Sequence, residues 1–558
     1  MGRCTGVYAC FSVGSATVPP SLRLSRRALV RAACLLLVPA LTLAGCGRQD
    51  DSAAPSASAG ATPAGDPAEV ETVTGRVRGE VSAGHREFSG IPYAAPPTGP
   101  LRFRPPAQAQ PWVDVRDATH PGPRCIQDPT ADLEFGRQTD EDCLTLNVWT
   151  PPVSAEPKPV MVWIHGGAFV NGSGGVYNGS WLASRGDIVV VTVNYRLGTL
   201  GFLAHPALGP AGDVGNYGLA DQQAALRWVR DNISRFGGDP GRVTVAGESA
   251  GGMSVCDHLV APGSADLFRA AVVMSAPCQV QADLPTAERA SVDYAARAGC
   301  ADPGTAAECL RDLPVDKLRE PVWYTGIGED RLTGPVTGTR TLPVDPVRTM
   351  ADGRALEVPV LIGTTRDEFT LFVALQYLRG VRYPDTEYPA LLRDTFGEDA
   401  AAVAARYPLA DYPDAALAYS AAVTDGAFAC VTDRMADGLT RSGPVYAYEF
   451  NDRDAPAPEP LRTLPFKVGA SHSLELRYLF DVGGAPALSD DQHRLSDQMI
   501  DYWSRFVTTG KPDAVGQPDW PALDGIADPA RMSLQPGGSR IVDTFDAEHR
   551  CPFWAGLE

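Results

Sequence analysis

Lysine is almost missing: the 558 residues include four lysines against 44 arginines, and 67 acidic side chains outnumber the 48 basic ones. The net charge of −19 argues against unassisted nucleic-acid binding, which needs a basic surface to neutralise phosphates. None of the twelve cysteines stands in a C-x-x-C pair and the eight histidines are scattered, which excludes a zinc-ribbon reading. No metal or organic cofactor is expected. The apolar stretch Ala28–Ala44 is interrupted by Arg31 and falls short of the roughly 20 apolar residues of a membrane-spanning helix. No repeat recurs at solenoid periods. Abundant Ala, Gly and Pro accompany the lysine deficit, which we read as a GC-rich coding bias. What is present is a globular composition, 44% hydrophobic and 21% charged, on a chain long enough for one very large domain.

Arg23, Arg26 and Arg27 precede the apolar stretch, which ends Leu43-Ala44-Gly45-Cys46. A basic head, a short apolar run and small residues form a secretory signal, and this ending is similar to a bacterial lipobox, in which the cysteine becomes the acylated N-terminus. Residues 1–45 are thus expected to be a lipoprotein-type signal peptide with Cys46 as the lipidated residue. Their removal deletes five arginines and no acid, taking the net charge from −19 to −24. Residues 46–69 carry no large apolar side chain and read as a flexible tether. The protein is expected outside the cytoplasm, anchored to the membrane only through lipid, or secreted. Eight further cysteines remain in the mature chain, an even number that suits disulfides in an exported protein.

Residues 70–558 read as a single α/β domain. Apolar runs of strand length lie at Val160–Ile164, Ile188–Val193, Val243–Ala246, Ala271–Met274 and Val358–Ile362. Continuous Val/Ile runs mark strands buried on both faces, as in a parallel sheet covered by helices. Between them, Tyr217–Ser234 has apolar residues at helical spacing. Alternation of strand and helix predicts a large, mostly parallel sheet flanked by helices. Helical patterns broken by prolines near 280–350 and 370–440 are expected to be cap insertions above that sheet.

The strongest chemical signal is Gly247-Glu248-Ser249-Ala250-Gly251, placed after the strand VTVA and before a helical stretch. A serine on so sharp a strand-to-helix turn needs small neighbours, and the turn exposes its oxygen beside the next backbone N–H. His165-Gly166-Gly167-Ala168-Phe169 follows a second buried strand. It fits an HGG-type loop whose free N–H groups complete an oxyanion hole. His165 itself is expected to be structural.

Taken with the segment Phe236–Gly251, the motifs EDCLTLN (141–147), GIPYAAPPTGPLRF (90–103), NYRLGTLGF (194–202) and GNYGLADQQAALRWV (215–229) resemble the type-B carboxylesterases, the family that includes the cholinesterases. The resemblance covers essentially all of 70–556. It implies an α/β-hydrolase fold and a serine hydrolase that cleaves carboxylic esters through an acyl-enzyme. The catalytic residues it implies are Ser249, Glu368 and His472, in the chain order nucleophile, acid, histidine. Asp367 stays open as an alternative acid, and no pattern alone selects His472 among the histidines. Gly167, Ala168 and Ala250 are the implied oxyanion donors, with the Ala168 methyl standing where many relatives carry a third glycine. MSAP at 274–277 departs from the family's usual SGS-type segment.

The resemblance further implies the bridges Cys125–Cys143, Cys300–Cys309 and Cys430–Cys551. Cys256 and Cys278 are left either bridged to each other or as two free thiols. It also implies the ion pairs Arg102–Glu141 and Arg196–Asp221. Phe135 is the only aromatic residue in the loop 125–143, where cholinesterases hold a cation-binding tryptophan, so choline specificity is not expected. The partner is therefore a small-molecule ester, with no nucleic acid. Two other readings are a lipase-like enzyme on longer chains and a neuroligin-like interaction protein that has lost catalysis. The retained serine speaks against the second.

Overall fold

In a computed structural model of the full chain, residues 66–129, 138–210, 212–327, 330–525 and 527–557 are described. The proposed signal, Cys46 and Phe135 lie outside them. All the described residues belong to one compact unit.

An eleven-stranded sheet organises the molecule. Its strands in chain order are β1 (Glu80–Ser82), β2 (His85–Pro92), β3 (Thr145–Thr150), β4 (Lys158–Ile164), β5 (Val189–Val193), β6 (Gly238–Glu248), β7 (Ala270–Met274), β8 (Val360–Thr365), β9 (Val445–Phe450), β10 (Arg531–Leu534) and β11 (Arg540–Val542). Their spatial order is β11-β10-β9-β8-β7-β6-β4-β5-β3-β2-β1. The seven strands from β10 to β5 run parallel, and antiparallel strands close both edges. The sheet is thus mixed but mostly parallel, as expected. β9 (VYAYEF) and β10 are parallel members that the apolar runs do not single out.

The five expected strands all form, because alternate residues of the Val/Ile runs feed two separate cores. Val160, Val162 and Ile164 of β4 pack on one face with Val243 and Val245 of β6. Met161 and Trp163 pack on the other with Val272 and Met274 of β7. Helix α1 (Tyr217–Asn232) stops two residues short of the expected end and continues as a 3-10 turn, Ile233–Phe236.

The remaining helices used below are α2 (Ala250–Val260), α3 (Leu284–Arg297), α4 (Thr370–Leu378), α5 (Ala415–Val423), α6 (Cys430–Leu439) and α7 (Asp490–Thr509). The segment 370–440 is helical, with a π-turn Thr424–Ala429 joining α5 to α6. The segment 280–350 holds, besides α3, the short helices Ala306–Asp312 and Pro346–Ala351. It also holds small two-stranded ladders, Ala282–Asp283 with Val336–Thr337 and Thr325–Ile327 with Asp330–Leu332.

At the N-terminal side, residues 66–69, the last four of the expected tether, are held by polar contacts. Asp66 accepts from Arg78 Nη1 at 2.9 Å, the Glu69 N–H donates to the Asp66 carbonyl, and Glu69 opens a strand paired with Arg76–Arg78. These polar pairings hold a segment that lacks large apolar side chains.

All eight cysteines that follow Cys46 are bridged: Cys125–Cys143, Cys256–Cys278, Cys300–Cys309 and Cys430–Cys551. The open question about Cys256 and Cys278 resolves as a bridge from α2 to the segment after β7. Both expected ion pairs form. Arg102 Nε meets Glu141 Oε2 at 2.8 Å, and Arg196 grips both Asp221 oxygens at 2.7 Å in full burial.

Candidate active site

β4 and β6 are neighbours, yet the chain leaves β4 towards β5 on one side and enters β6 on the other. Such a reversal opens a crevice at the C-terminal ends of the strands. The two Gly-rich loops sit at those ends. Ser249 follows β6 with φ 56° and ψ −125° and caps α2. That backbone region is costly for a non-glycine residue and persists only where the surroundings hold it. The surroundings here leave no room for larger neighbours. A Cβ on Gly251 would lie 1.9 Å from the Ile164 carbonyl oxygen, and one on Gly247 would lie 2.4 Å from Gly251.

The second loop turns back on itself through three successive positive-φ residues, Gly167, Ala168 and Phe169. The Gly167 carbonyl accepts from the N–H groups of Val170 and Asn171. Among the described residues, none accepts from the N–H groups of Gly167 or Ala168. Ala250 is the first residue of α2, so its N–H is among the helix's N-terminal donors without an intrahelical partner. His165 is structural: its Nδ1 lies 2.8 Å from the Gly166 carbonyl, its ring stacks on Tyr195, and burial pushes it down to about 4.

Glu368 follows β8 and is fully buried, as is His472, at 0% and 3% exposure. His472 Nδ1 lies 2.6 Å from Glu368 Oε2, while Oε1 accepts from the Thr365 N–H at 2.7 Å. Asp367 points elsewhere. Its carboxylate takes two hydrogen bonds from Arg453 and one from the Ala470 N–H. Between the two neighbouring acids, only Glu368 meets the imidazole.

Two carboxyl groups not anticipated from the motifs share this burial. Glu248, the residue just before the serine, is 2% exposed and brings Oε1 to 3.1 Å from His472 Nε2. Ser473 Oγ donates to the same oxygen at 2.5 Å. Glu475 is fully buried beside Ser275 Oγ at 3.5 Å. Burial raises Glu475 far above the carboxylate range, and the neighbouring Glu248 and Glu368 add to this. Burial opposes the imidazolium of His472, but the Glu248 and Glu368 carboxylates outweigh it and raise His472 to about 9. Among the described contacts, none joins Ser249 Oγ to His472 Nε2, and Nε2 has no aligned hydrogen-bond partner. Catalytic hydrogen bonds of this kind often tighten only with substrate bound.

Ser249 opens into an apolar pocket whose walls include Ala168, Phe169, Met253, Phe369, Phe372 and Phe428. The rings of Phe372 and Phe428 also lie 5.2 and 5.5 Å from that of His472. The MSAP segment contributes Pro277 to this pocket, and the Met274 carbonyl accepts from the Ser249 N–H. A serine on a tight turn, unclaimed N–H groups and a buried carboxylate–imidazole pair at this crevice define the α/β-hydrolase class.

The chain belongs to the carboxylesterase family, whose sequence profile matches residues 66–554, and it is a carboxylic ester hydrolase. It is 35% identical over 494 residues to the para-nitrobenzyl esterase of Bacillus subtilis, covering 81% of this chain and 92% of that protein. It is 33% identical over 528 residues to the cocaine esterase of Homo sapiens and to the acylcarnitine hydrolase of Mus musculus, in each case covering 87% of this chain and 90% of the relative. Among solved structures, a thermophilic PNB esterase superposes with a TM-score of 0.74 at 31% identity, over 88% of this chain and all of that one.

Proposed function

We propose that the protein is an exported serine esterase using Ser249 as nucleophile, His472 as general base and acid, and Glu368 as the group that orients the imidazole. The 2.6 Å contact between His472 Nδ1 and Glu368 Oε2, behind a serine at the mouth of an apolar pocket, carries this reading. Ser249 Oγ bonds to the ester carbonyl carbon as its proton passes to His472 Nε2. The carbonyl oxygen becomes an oxyanion facing the N–H groups of Gly167, Ala168 and Ala250. Each such donor typically contributes about 100- to 1000-fold in rate. Collapse breaks the C–O bond to the alcohol, which leaves with the proton from His472. Water then attacks the acyl-enzyme, giving its proton to His472. That proton returns to Ser249 as the C–Oγ bond breaks.

The pocket walls named above are uncharged and largely aromatic, which suits neutral esters with small or aromatic groups. The relatives named for para-nitrobenzyl and cocaine esters support that class. Rate-against-concentration curves for short and long nitrophenyl esters test it. Simple saturation by short esters is expected, whereas acceleration only above the solubility limit would favour the lipase reading. The sequence around Cys46 supports a lipid anchor outside the cytoplasm. A palmitate label that disappears in Cys46→Ser is the expected result, and one that survives the substitution defeats it.

A further inference from the structure

The substrate pocket contains one polar group that the ester mechanism does not use. Thr333 lies on the pocket wall after Leu332 and is 5% exposed. Its hydroxyl is buried and has no hydrogen-bond partner among the described residues. A buried hydroxyl without a partner is costly, and native structures rarely leave one without reason.

The segment is held firmly on both sides. The Leu332 carbonyl accepts from the Tyr324 N–H at 2.9 Å, and Val336 exchanges two 2.8 Å hydrogen bonds with the Asn216 side chain. Between them, Gly334 presses so closely on Phe169 that a Cβ there would lie 2.6 Å from the ring. Thr333 is therefore fixed next to Gly334, whose backbone packs on Phe169 of the oxyanion loop. Ser249, which reacts, and Thr333, which does not, are the hydroxyls among the described lining residues.

Resting on the esterase reading, we propose that Thr333 is a specificity-determining residue that favours esters whose chain carries an ether, carbonyl or hydroxyl oxygen within its reach. In a pocket otherwise built from apolar side chains, an all-carbon chain leaves this hydroxyl unpaired, whereas an oxygenated chain satisfies it. A site built to pair a polar group discriminates against analogues that lack one.

The test compares matched nitrophenyl esters in which one chain methylene is replaced by an ether oxygen at successive positions, with wild type, Thr333→Val and Thr333→Ser. Valine keeps the shape without the hydroxyl, and serine keeps the hydroxyl. At one position, the ratio of kcat/KM for the oxygenated over the all-carbon ester should fall by about 2- to 12-fold in Thr333→Val, the span of one neutral hydrogen bond. Thr333→Ser should retain it. Ratios that stay equal at every position overturn the proposal. Matched ketones, which cannot be cleaved, give the same comparison as Kd values by calorimetry. If the wild type hydrolyses no ester, the functional reading fails alone, and the ketone affinities still decide the role of Thr333.

Discussion

Replacing Glu248 by Gln removes a charge 3.1 Å from His472 Nε2 while keeping the side chain's shape and an acceptor for Ser473. The carboxylates of Glu248 and Glu368 together overcome burial and lift His472 from 6.5 to about 9. That gap corresponds to about 3 kcal/mol in favour of the imidazolium. At an effective dielectric of about 20, one charge at this distance contributes up to about 5 kcal/mol, so either carboxylate alone has the required strength. The charge of Glu248 is the largest single attraction on the imidazolium, while Glu368 acts through both its charge and its hydrogen bond. Removing the Glu248 charge should therefore lower the midpoint of the His472 titration. The sign follows from the mechanism, because a general base must be neutral in the free enzyme. kcat/KM then rises with pH through the His472 titration, and in Glu248→Gln the rise comes at lower pH. Each unit of displacement raises kcat/KM about tenfold at a fixed pH below the midpoint. The alkaline plateau should fall, because the imidazolium formed in the transition state loses the same carboxylate. The assay is kcat/KM for nitrophenyl acetate from about pH 5.5 to 10, with spontaneous hydrolysis subtracted. A midpoint that stays in place or moves upward refutes the electrostatic reasoning.

Glu368→Gln should lower kcat by orders of magnitude, about 10⁴-fold where an orienting carboxylate is lost from such a triad. Asp367→Asn, which breaks a half-exposed pair with Arg453, should cost less than about tenfold, and the reverse ranking would move the acid role to Asp367. Asp221→Asn leaves the Arg196 guanidinium buried without its counter-charge and should destabilise the fold by about 3–5 kcal/mol in denaturant titration. A loss below about 1 kcal/mol would show that the pair is compensated elsewhere.

The parts of the site that were legible are those where backbone geometry restricts the residue type. Gly247 and Gly251 flank the serine because a Cβ on either would collide with backbone, so the constraint is written locally as a motif. Central strands were equally legible, since burial on both faces demands unbroken apolar runs. Glu248 and Glu475 were not, although one lies within the serine motif and the other three residues beyond His472. A single carboxyl reads as solvated surface, and only the packing of β6 against the loop 471–476 shows that both are buried. The pairing of Glu368 with His472 spans 104 residues, a distance over which no local pattern operates, and family resemblance had to supply it. β9 escaped notice because its buried run is aromatic and carries Glu449, whose charge is matched by His549 and Arg366 from remote segments. Thr333 has no sequence signal at all. Its interest lies in a hydrogen bond that is missing.

The central claim is that Ser249 is the atom donor of the acyl-enzyme. Treating the folded protein with a fluorophosphonate and mapping the adduct by peptide mass spectrometry tests this most directly, with ester turnover followed in parallel. One equivalent of label on the Ser249 peptide, loss of turnover in step with labelling, and neither label nor turnover in Ser249→Ala are expected. A stoichiometric adduct on another residue, or undiminished hydrolysis by Ser249→Ala, would contradict the account.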